Sequence, residues 1–457
     1  MDPAGLDAPP QLRRRHPKPI HRALPVLRRD GNRAAPAGQS RDAGHIGPMT
    51  QAADILIAGG GLNGPALALA LARNGFSVTV VDGRPAPQRA EPGFDGRAYA
   101  LALASKRLLA ALGLWDGLAS QAQPILRVVT ADGTTAGGPS PFVLAFDHAE
   151  IEEGPMGYLL EDRFLYAAFL AALEAEPRIR LVSGTTVEAQ EVGPQGVTVT
   201  LSTGAQLSGR LLVGCDGRQS GTARRAGIRR SGWGYGQTAL VTAIEHERPH
   251  EGTAWQYFLP AGPLAILPLP GGHRSSIVWS ESDAAAAGIQ RLPDADYLGA
   301  LRPRFGDFLG SIRLAGDRFT YPLSLSLAHS FVAPRVALVG DAAHGVHPIA
   351  GQGLNLGLRD VAALAEVLTL AARRGEDVGS PLVLDRYQQW RRFDATALAL
   401  GMDMVNRLFS NDNPMLRAGR DLGMGIVNAL PGLRRGFIRQ AAGLSGDLPR
   451  LLQGRPI

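Results

Sequence analysis

Short apolar runs and longer helical ones alternate along the chain, and they outline most of its elements. Ile55-Leu56-Ile57-Ala58 is a continuous apolar run ended by glycine, the pattern of a strand buried on both faces. Pro65–Asn74 carries a helical apolar pattern, and Ser77–Val81 predicts a second strand that leads into Asp82. Leu211–Cys215 and Val336–Val339 repeat the buried-strand pattern, the latter ahead of a helix predicted over Leu354–Leu368. Residues 254–280 alternate apolar and polar positions between Gly/Pro turns and predict three antiparallel strands able to cover a ligand. This order places the chain in the α/β class, with a Rossmann-like unit beside an antiparallel sheet. Residues 373–457 read as helical, without a second chemical signature.

Glycine inside an element costs roughly 0.5–1 kcal/mol against alanine, so a cluster between strand and helix needs a compensating role. Gly59, Gly61 and Gly64 fall on the spacing G-x-G-x-x-G. The first permits a tight turn, the second lets a pyrophosphate approach the backbone, and the third lets helix and strand pack closely. The helix N-terminus then faces the phosphates, and Asp82 ends the next strand, where an acid meets a ribose hydroxyl. A turn that binds nothing would need the glycines alone. Strand, helix and terminal acid in register predict dinucleotide binding.

Two further turns repeat this logic. Asp216-Gly217 follows Leu211–Cys215, and Gly340-Asp341 follows Val336–Val339; both put an acid and a glycine where α/β sheets bind ligands. Gly351-Gln352-Gly353 opens the next helix and frees backbone N–H groups, suited to negative charge developing on a ligand ring. Taken singly, each is equally well explained as a turn that ends a strand.

A chain of 457 residues, 45% hydrophobic and 19% charged, can bury a large core. No apolar run reaches the roughly 18–20 residues of a membrane span, and no signal-peptide pattern opens the chain. The single cysteine, Cys215, excludes an intramolecular disulfide, fits a reducing compartment, and reads as a small buried residue of its strand. The net charge of +6 is carried by the ends: +5 in residues 1–48 and +4 in 431–457, leaving −3 between them, so nucleic-acid binding is not expected. Residues 1–48 are rich in Pro, Arg, Gly and Ala without periodicity and read as a disordered extension, with Met49 as the true start. Asp2, Asp7, Asp30 and Asp42 weaken the alternative of an Arg-rich targeting peptide. No Ser/His/Asp or paired-carboxylate arrangement stands out, and no metal site is expected.

Together the three turns resemble the FAD-dependent aromatic-ring monooxygenases. That family's G-x-G-x-x-G is matched by Gly59, Gly61 and Gly64, its Asp-Gly motif by Asp216-Gly217, and its "GDAAHxxxPxxGQGxNxGxxD" by Gly340 to Asp360 without a gap. The resemblance implies non-covalently bound FAD. It implies that Asp82, where the family usually has Glu, holds the adenosine ribose, and that Arg163 in "EDRFL" contacts the cofactor. Asp341, in the turn with Gly340, would hold the ribityl and phosphate region, while Gly351 and Gly353 would present N–H groups to the flavin, with Asn355 in the same cofactor-binding motif. Arg97 aligns with an arginine beside the flavin at the mouth of the active site, and forms the catalytic set with Gly351 and Gly353. His344 would order the loop beside the flavin; His347 has no assigned role.

Residues 254–280, Thr320–Gly357 and the tail from Asn406 narrow the resemblance to the ubiquinone-biosynthesis hydroxylases. The implied substrates are a polyprenylated phenol and molecular oxygen, joined through a flavin C4a-hydroperoxide. A single G-x-G-x-x-G implies that NAD(P)H or another electron donor binds only transiently. Other ubiquinone-biosynthesis proteins are implied as partners. The expected location is cytoplasmic, with peripheral contact at the inner face of the cell membrane. Leu433, Phe437 and Ala441 recur every four residues on one helical face, with Arg435 and Arg439 on the other, as in an interfacial helix. A helix packed on the protein body competes with that reading. Three other functions stay open: hydroxylation of a small soluble aromatic, reduction of isoprenoid chains, or a non-catalytic FAD-bound scaffold. The domain map follows the motifs: 49–126, 155–228 and 330–372 form the FAD-binding domain, 127–154 and 229–329 the substrate domain, and 373–457 a helical C-terminal region.

Overall fold

The apolar run at Ile55 forms the strand Ala53–Ala58, buried on both faces, in the middle of a largely parallel sheet. Its parallel neighbours are Val78–Asp82 on one side and Gln206–Gly214 on the other. Ile179–Ser183 and Val336–Leu338 continue the parallel order outward. The chain therefore leaves the central strand in one direction through Val78–Asp82 and returns on the other side through Gln206–Gly214. This is a topological switch point, and open α/β sheets bind ligands in the crevice it leaves. Val187–Val192 and Val197–Leu201 extend the sheet as an antiparallel meander, and Val332–Ala333 pairs at the far edge. This computed structural model describes residues 52–85, 97–134, 138–347, 351–410, 420, 423, 425 and 427–457. The expectations for residues 1–48 and for Met49 as the start lie outside them.

The helix Asn63–Ala72 connects the first two strands. It is buried on nearly every side, because it packs between the sheet and the long helix Gln352–Arg373. Its apolar residues accordingly run all round the helix rather than along one stripe. Helix bounds differ from the sequence expectation by two residues at each end of this helix. The long helix Gln352–Arg373 starts two residues before the predicted Leu354 and ends five beyond Leu368.

A second sheet of nine strands contains all three strands predicted over 254–280, found at Thr253–Leu259, Gly262–Leu269 and Arg274–Ser282. Arg230–His246 and Phe319–Ala328 continue it on one side, and Arg127–Thr134 and Gly138–Asp147 on the other. It is antiparallel except where Thr253–Leu259 runs parallel to Arg127–Thr134. Its own core gathers on Leu240, Ile266, Trp279, Tyr297 and Phe305, separate from the core of the first sheet. A third sheet, Ala98–Ala102 with Gly157–Glu161 and Gln123–Ile125, was not legible in the sequence pattern. Residues Thr50–Ile457 cluster by contact as one compact unit. Past residue 373 the described chain is helical, over Pro381–Phe409 and Pro431–Ala441 with a short turn at Arg450–Gln453. No helix among the described residues is long and apolar enough to cross a membrane.

Candidate active site and cofactor cradle

At the C-terminal end of Ala53–Ala58 the backbone is so tightly folded that glycine is required. Gly59 takes φ +108°, and a Cβ there would overlap the Cys215 carbonyl. A Cβ on Gly64 would strike the Gly59 carbonyl, which keeps the helix against the strand. Gly60, inside the motif but outside its spacing, is equally constrained, since a Cβ would lie 2.5 Å from Asp82 Oδ2. Asp82 is buried at the end of its strand, and its Oδ1 accepts from the Arg84 backbone N–H at 3.1 Å.

A cavity of about 470 Å³ opens at the switch point. One part of its wall is Gly61, Leu62 and Asn63 at the start of the first helix, and another is Gly351, Gly353 and Leu354 at the start of the helix Gln352–Arg373. Neither helix has a side-chain cap at its N-terminus. Two helix N-termini without a side-chain cap thus converge on one space, each at the positive end of a helix dipole. Gly351 makes the second start possible by taking the left-handed conformation (φ +63°), with Ala100 3.0 Å from where its Cβ would stand. Asn63 Oδ1 is buried without a hydrogen-bond partner among the described residues. The nine-stranded sheet supplies the remaining wall through Ala239, Val241, Ser276, Val278, Tyr321 and Leu323.

The turn Gly340–Ala342 brings Asp341 to the cavity and is fixed from three sides. The Gly340 N–H donates to Asp360 Oδ2 at 3.0 Å, Arg230 donates to the carbonyls of Asp341 and Ala342, and Arg218 Nε donates to Asp341 Oδ2 at 3.1 Å. Arg218 also reaches the Val346 carbonyl at 2.8 Å and the carbonyl and hydroxyl of Ser324 at 3.3 Å each. Behind the turn, fully buried Asp360 accepts from His344 Nε2 at 2.5 Å and from Arg391 Nε at 2.8 Å. Burial alone would raise the Asp360 carboxyl, but the His344 and Arg391 partners outweigh it and hold the pKa below the usual range.

Arg97 lines the same cavity from the start of a strand, paired with Asp162 at 2.8 Å and still 37% exposed at its side chain. Its neighbour Tyr99 is kept protonated, first by burial and then by the Asp162 charge, both of which raise the phenol pKa. Cys215 corrects the sequence reading: its strand stops at Gly214, and the residue lines the cavity at the strand's end. Burial, with Asp216 and Asp360 nearby, pushes the thiol well up, so it is no thiolate nucleophile.

Not every residue singled out in the sequence reaches this space. Gly59, Gly64 and Gly340 shape it from behind, and Gly217 lines it with φ +79°. The Asp216 carboxylate is turned to the following short helix, accepting from Ser220 Oγ (2.5 Å) and from the N–H and hydroxyl of Thr222 (2.9 Å each). Arg163 pairs with Glu161 at 2.7 Å and lies over the Phe164 ring, outside the cavity lining. Asn355 uses its amide as a strap: Oδ1 accepts from Ala102 N and Ser105 Oγ, and Nδ2 donates to the carbonyls of Ala100 and Gly351. Arg218, Arg230, Asn63 and Gly60 were missed. Only Gly60 carried a signal, as the middle of three consecutive glycines.

The cradle fits FAD, with glycines where a Cβ would fill the space and N–H groups where pyrophosphate and a charged ring would lie. Gly61 and the first helix would hold the pyrophosphate, and Gly351 and Gly353 the flavin ring. Bound FAD would supply the oxygen activation that these side chains cannot.

The profile of the FAD binding domain family matches residues 52–400. The ubiquinone hydroxylase UbiL of Rhodospirillum rubrum is 46% identical over 418 residues, covering 90% of this chain and 96% of that protein. The 3-demethoxyubiquinol 3-hydroxylase of Escherichia coli is 38% identical, covering 86% and 99%. Among solved structures, the p-nitrophenol 4-monooxygenase PnpA of Pseudomonas putida DLL-E4 aligns with a TM-score of 0.71 at 21% identity, over 86% of this chain and 98% of that one, and so shares the fold. With likeness at this level spanning nine tenths of its length, the chain belongs to the FAD-dependent monooxygenase family of the ubiquinone-biosynthesis hydroxylases.

Proposed function

We propose that this protein hydroxylates the aromatic ring of a polyprenylated phenol, using FAD, molecular oxygen and electrons from NAD(P)H or another donor that binds transiently. The observation that carries the reading is the convergence of two uncapped helix N-termini on a cavity whose other wall is a largely apolar sheet. One N-terminus suits a pyrophosphate. The other suits negative charge on a ring, and the sheet face excludes water from the ring it covers.

In this reading Gly59, Gly61 and Gly64 admit the pyrophosphate, Asp82 meets the ribose, and Asp341 meets the ribityl region. Gly351 and Gly353 face the flavin. Arg97, ion-paired yet partly exposed, stabilises an anionic phenol oxygen at the mouth. Gly217 lines the cradle itself, and Arg163, Asp216 and Asn355 support it through their neighbours. The nine-stranded sheet is the substrate domain and the parallel sheet the FAD-binding domain, interleaved along the chain as the motifs suggest. The protein works at the inner face of the membrane, beside other proteins of the same biosynthesis. The Rhodospirillum rubrum relative, a ubiquinone hydroxylase, and the Escherichia coli relative, a 3-demethoxyubiquinol 3-hydroxylase, support this substrate class.

Mass analysis of prenylated phenols in cells lacking the protein tests the proposal. A phenol one oxygen atom short of its normal successor should accumulate, and an unchanged phenol profile would reject the assignment.

A further inference from the structure

Behind the strand Ala98–Ala102 lie two more cavities, of about 530 and 230 Å³. Ala102, Gln352, Asn355, Phe437 and Ala441 line both, so the two are neighbours with these residues between them. The smaller also shares Ala100 with the cavity at the glycine turn. Small residues at alternate positions of a single strand therefore line all three spaces: Ala98 and Ala100 the first, Ala100 and Ala102 the second, and Ala102 the third. Alternate residues share one face of a strand, so any larger side chain there would thicken the wall between neighbouring cavities.

The smaller chamber is walled by Val128, Phe146, Trp255, Phe258 and Leu267 of the nine-stranded sheet. The larger runs between the helices Gln352–Arg373, Pro381–Phe409 and Pro431–Ala441. Its charged members are engaged with the protein. Arg359 donates to Asp394 at 2.9 Å and to the carbonyls of Gly443 and Ser445, and Asn355 is the strap already described. Such a lining suits hydrocarbon rather than a nucleotide or an anion.

At the outer end Ala397, Gly401 and Ala441 are small and exposed, and Phe437 is 52% exposed. On the helix that carries Ala397 and Gly401, Phe393, Leu400, Met404 and Leu408 form an exposed stripe at spacings of seven, four and four residues, a single helical face. The helix Pro431–Ala441 is anchored by buried Ile438 and by ion pairs from Arg434 to Glu150 and Arg439 to Glu153, and it leaves Leu433 exposed alongside Phe437.

We propose that the two chambers form one compartment for the isoprenoid tail of the substrate, running from the ring cavity at Ala100 to a mouth at Ala397, Gly401, Phe437 and Ala441. The inference rests on the reading of the substrate as a prenylated phenol. A branched hydrocarbon chain gains from burial along its whole length, and a mouth ringed by exposed apolar side chains lets it enter without crossing water.

Ala397→Phe and Ala441→Trp fill the mouth at exposed positions, and FAD content reports whether each variant folds. Each is assayed with a phenol carrying one isoprene unit and with one carrying a long chain. The ratio of kcat/KM for the long over the short substrate should fall about tenfold or more. A long-chain phenol with a diazirine at the far end of its tail should cross-link to Pro381–Phe409 or Pro431–Ala441 of the parent protein. An unchanged ratio, an equal loss on both substrates, or cross-links confined to other segments would overturn the compartment. If the parent hydroxylates neither phenol, the reading of the reaction fails, and the cross-link still decides where the tail lies.

Discussion

Lowering the pH from 7 to 5 should weaken this fold by about 2 kcal/mol through a single residue, His347. Its ring is fully buried against Tyr235, at 5.0 Å between centroids, and neither ring nitrogen finds a hydrogen-bond partner among the described residues. Burial first, and the Arg218 charge second, lower its pKa from 6.5 to about 4, against a smaller opposing effect of Asp403. An unfolded chain takes up the proton near 6.5 and the folded one only near 4. Stability is therefore complete above about pH 6.5 and is lost as the pH falls towards 4. At 1.36 kcal/mol per pH unit the whole window is worth about 3 kcal/mol, of which about 2 is gone by pH 5. Urea unfolding of the parent and of His347→Leu, with FAD in excess at both pH values, isolates the effect. Leucine cannot titrate, so the variant should lose about 2 kcal/mol less than the parent between pH 7 and 5. Equal losses would refute the argument.

Three more outcomes follow from the same structure. Arg391→Ala leaves the Asp360 carboxylate buried with one cation fewer and should destabilise the protein by about 3–5 kcal/mol, read as a lower melting temperature; a variant that melts with the parent would show that the pair carries no stability. Gly60→Ala places a methyl group 2.5 Å from Asp82 Oδ2 and should release FAD on gel filtration, whereas Gly117→Ala, with nothing within 4 Å, should keep its yellow colour. Arg435→Glu changes an exposed residue on the helix that leaves Leu433 and Phe437 outside, and should reduce sedimentation with anionic vesicles at low salt; unchanged binding would mean that this helix does not meet lipid.

Legibility in the sequence followed the range of the interactions. The first strand, helix and Asp82 could be read because glycine is expensive wherever it is not needed, and Gly59, Gly60 and Gly64 prove to be packed against backbone or carboxylate. The three strands over 254–280 could be read because alternation is local. Arg218 could not, since its partners Asp341, Ser324 and Val346 lie more than a hundred residues away in sequence. Shorter but still non-local separations hid the sheet that joins Ala98–Ala102 to Gly157–Glu161, and Arg391, which reaches Asp360 from another helix 31 residues away. Asp216 shows the opposite limit. Its position at a strand end was legible, but the direction of its carboxylate depends on Ser220 and Thr222 in the next turn. The C-terminal helix was legible as amphipathic, yet only packing decides that Ile438 is its anchor and that Leu433 and Phe437 remain outside.

The central claim is tested most directly in a single turnover. The purified protein, loaded with FAD and chemically reduced, is mixed with a prenylated phenol and isotopically labelled dioxygen, and the phenol is recovered for mass analysis. The account predicts one labelled oxygen atom on the aromatic ring of the product. Phenol returned unaltered while the reduced flavin is reoxidised and the labelled oxygen appears as hydrogen peroxide would contradict it.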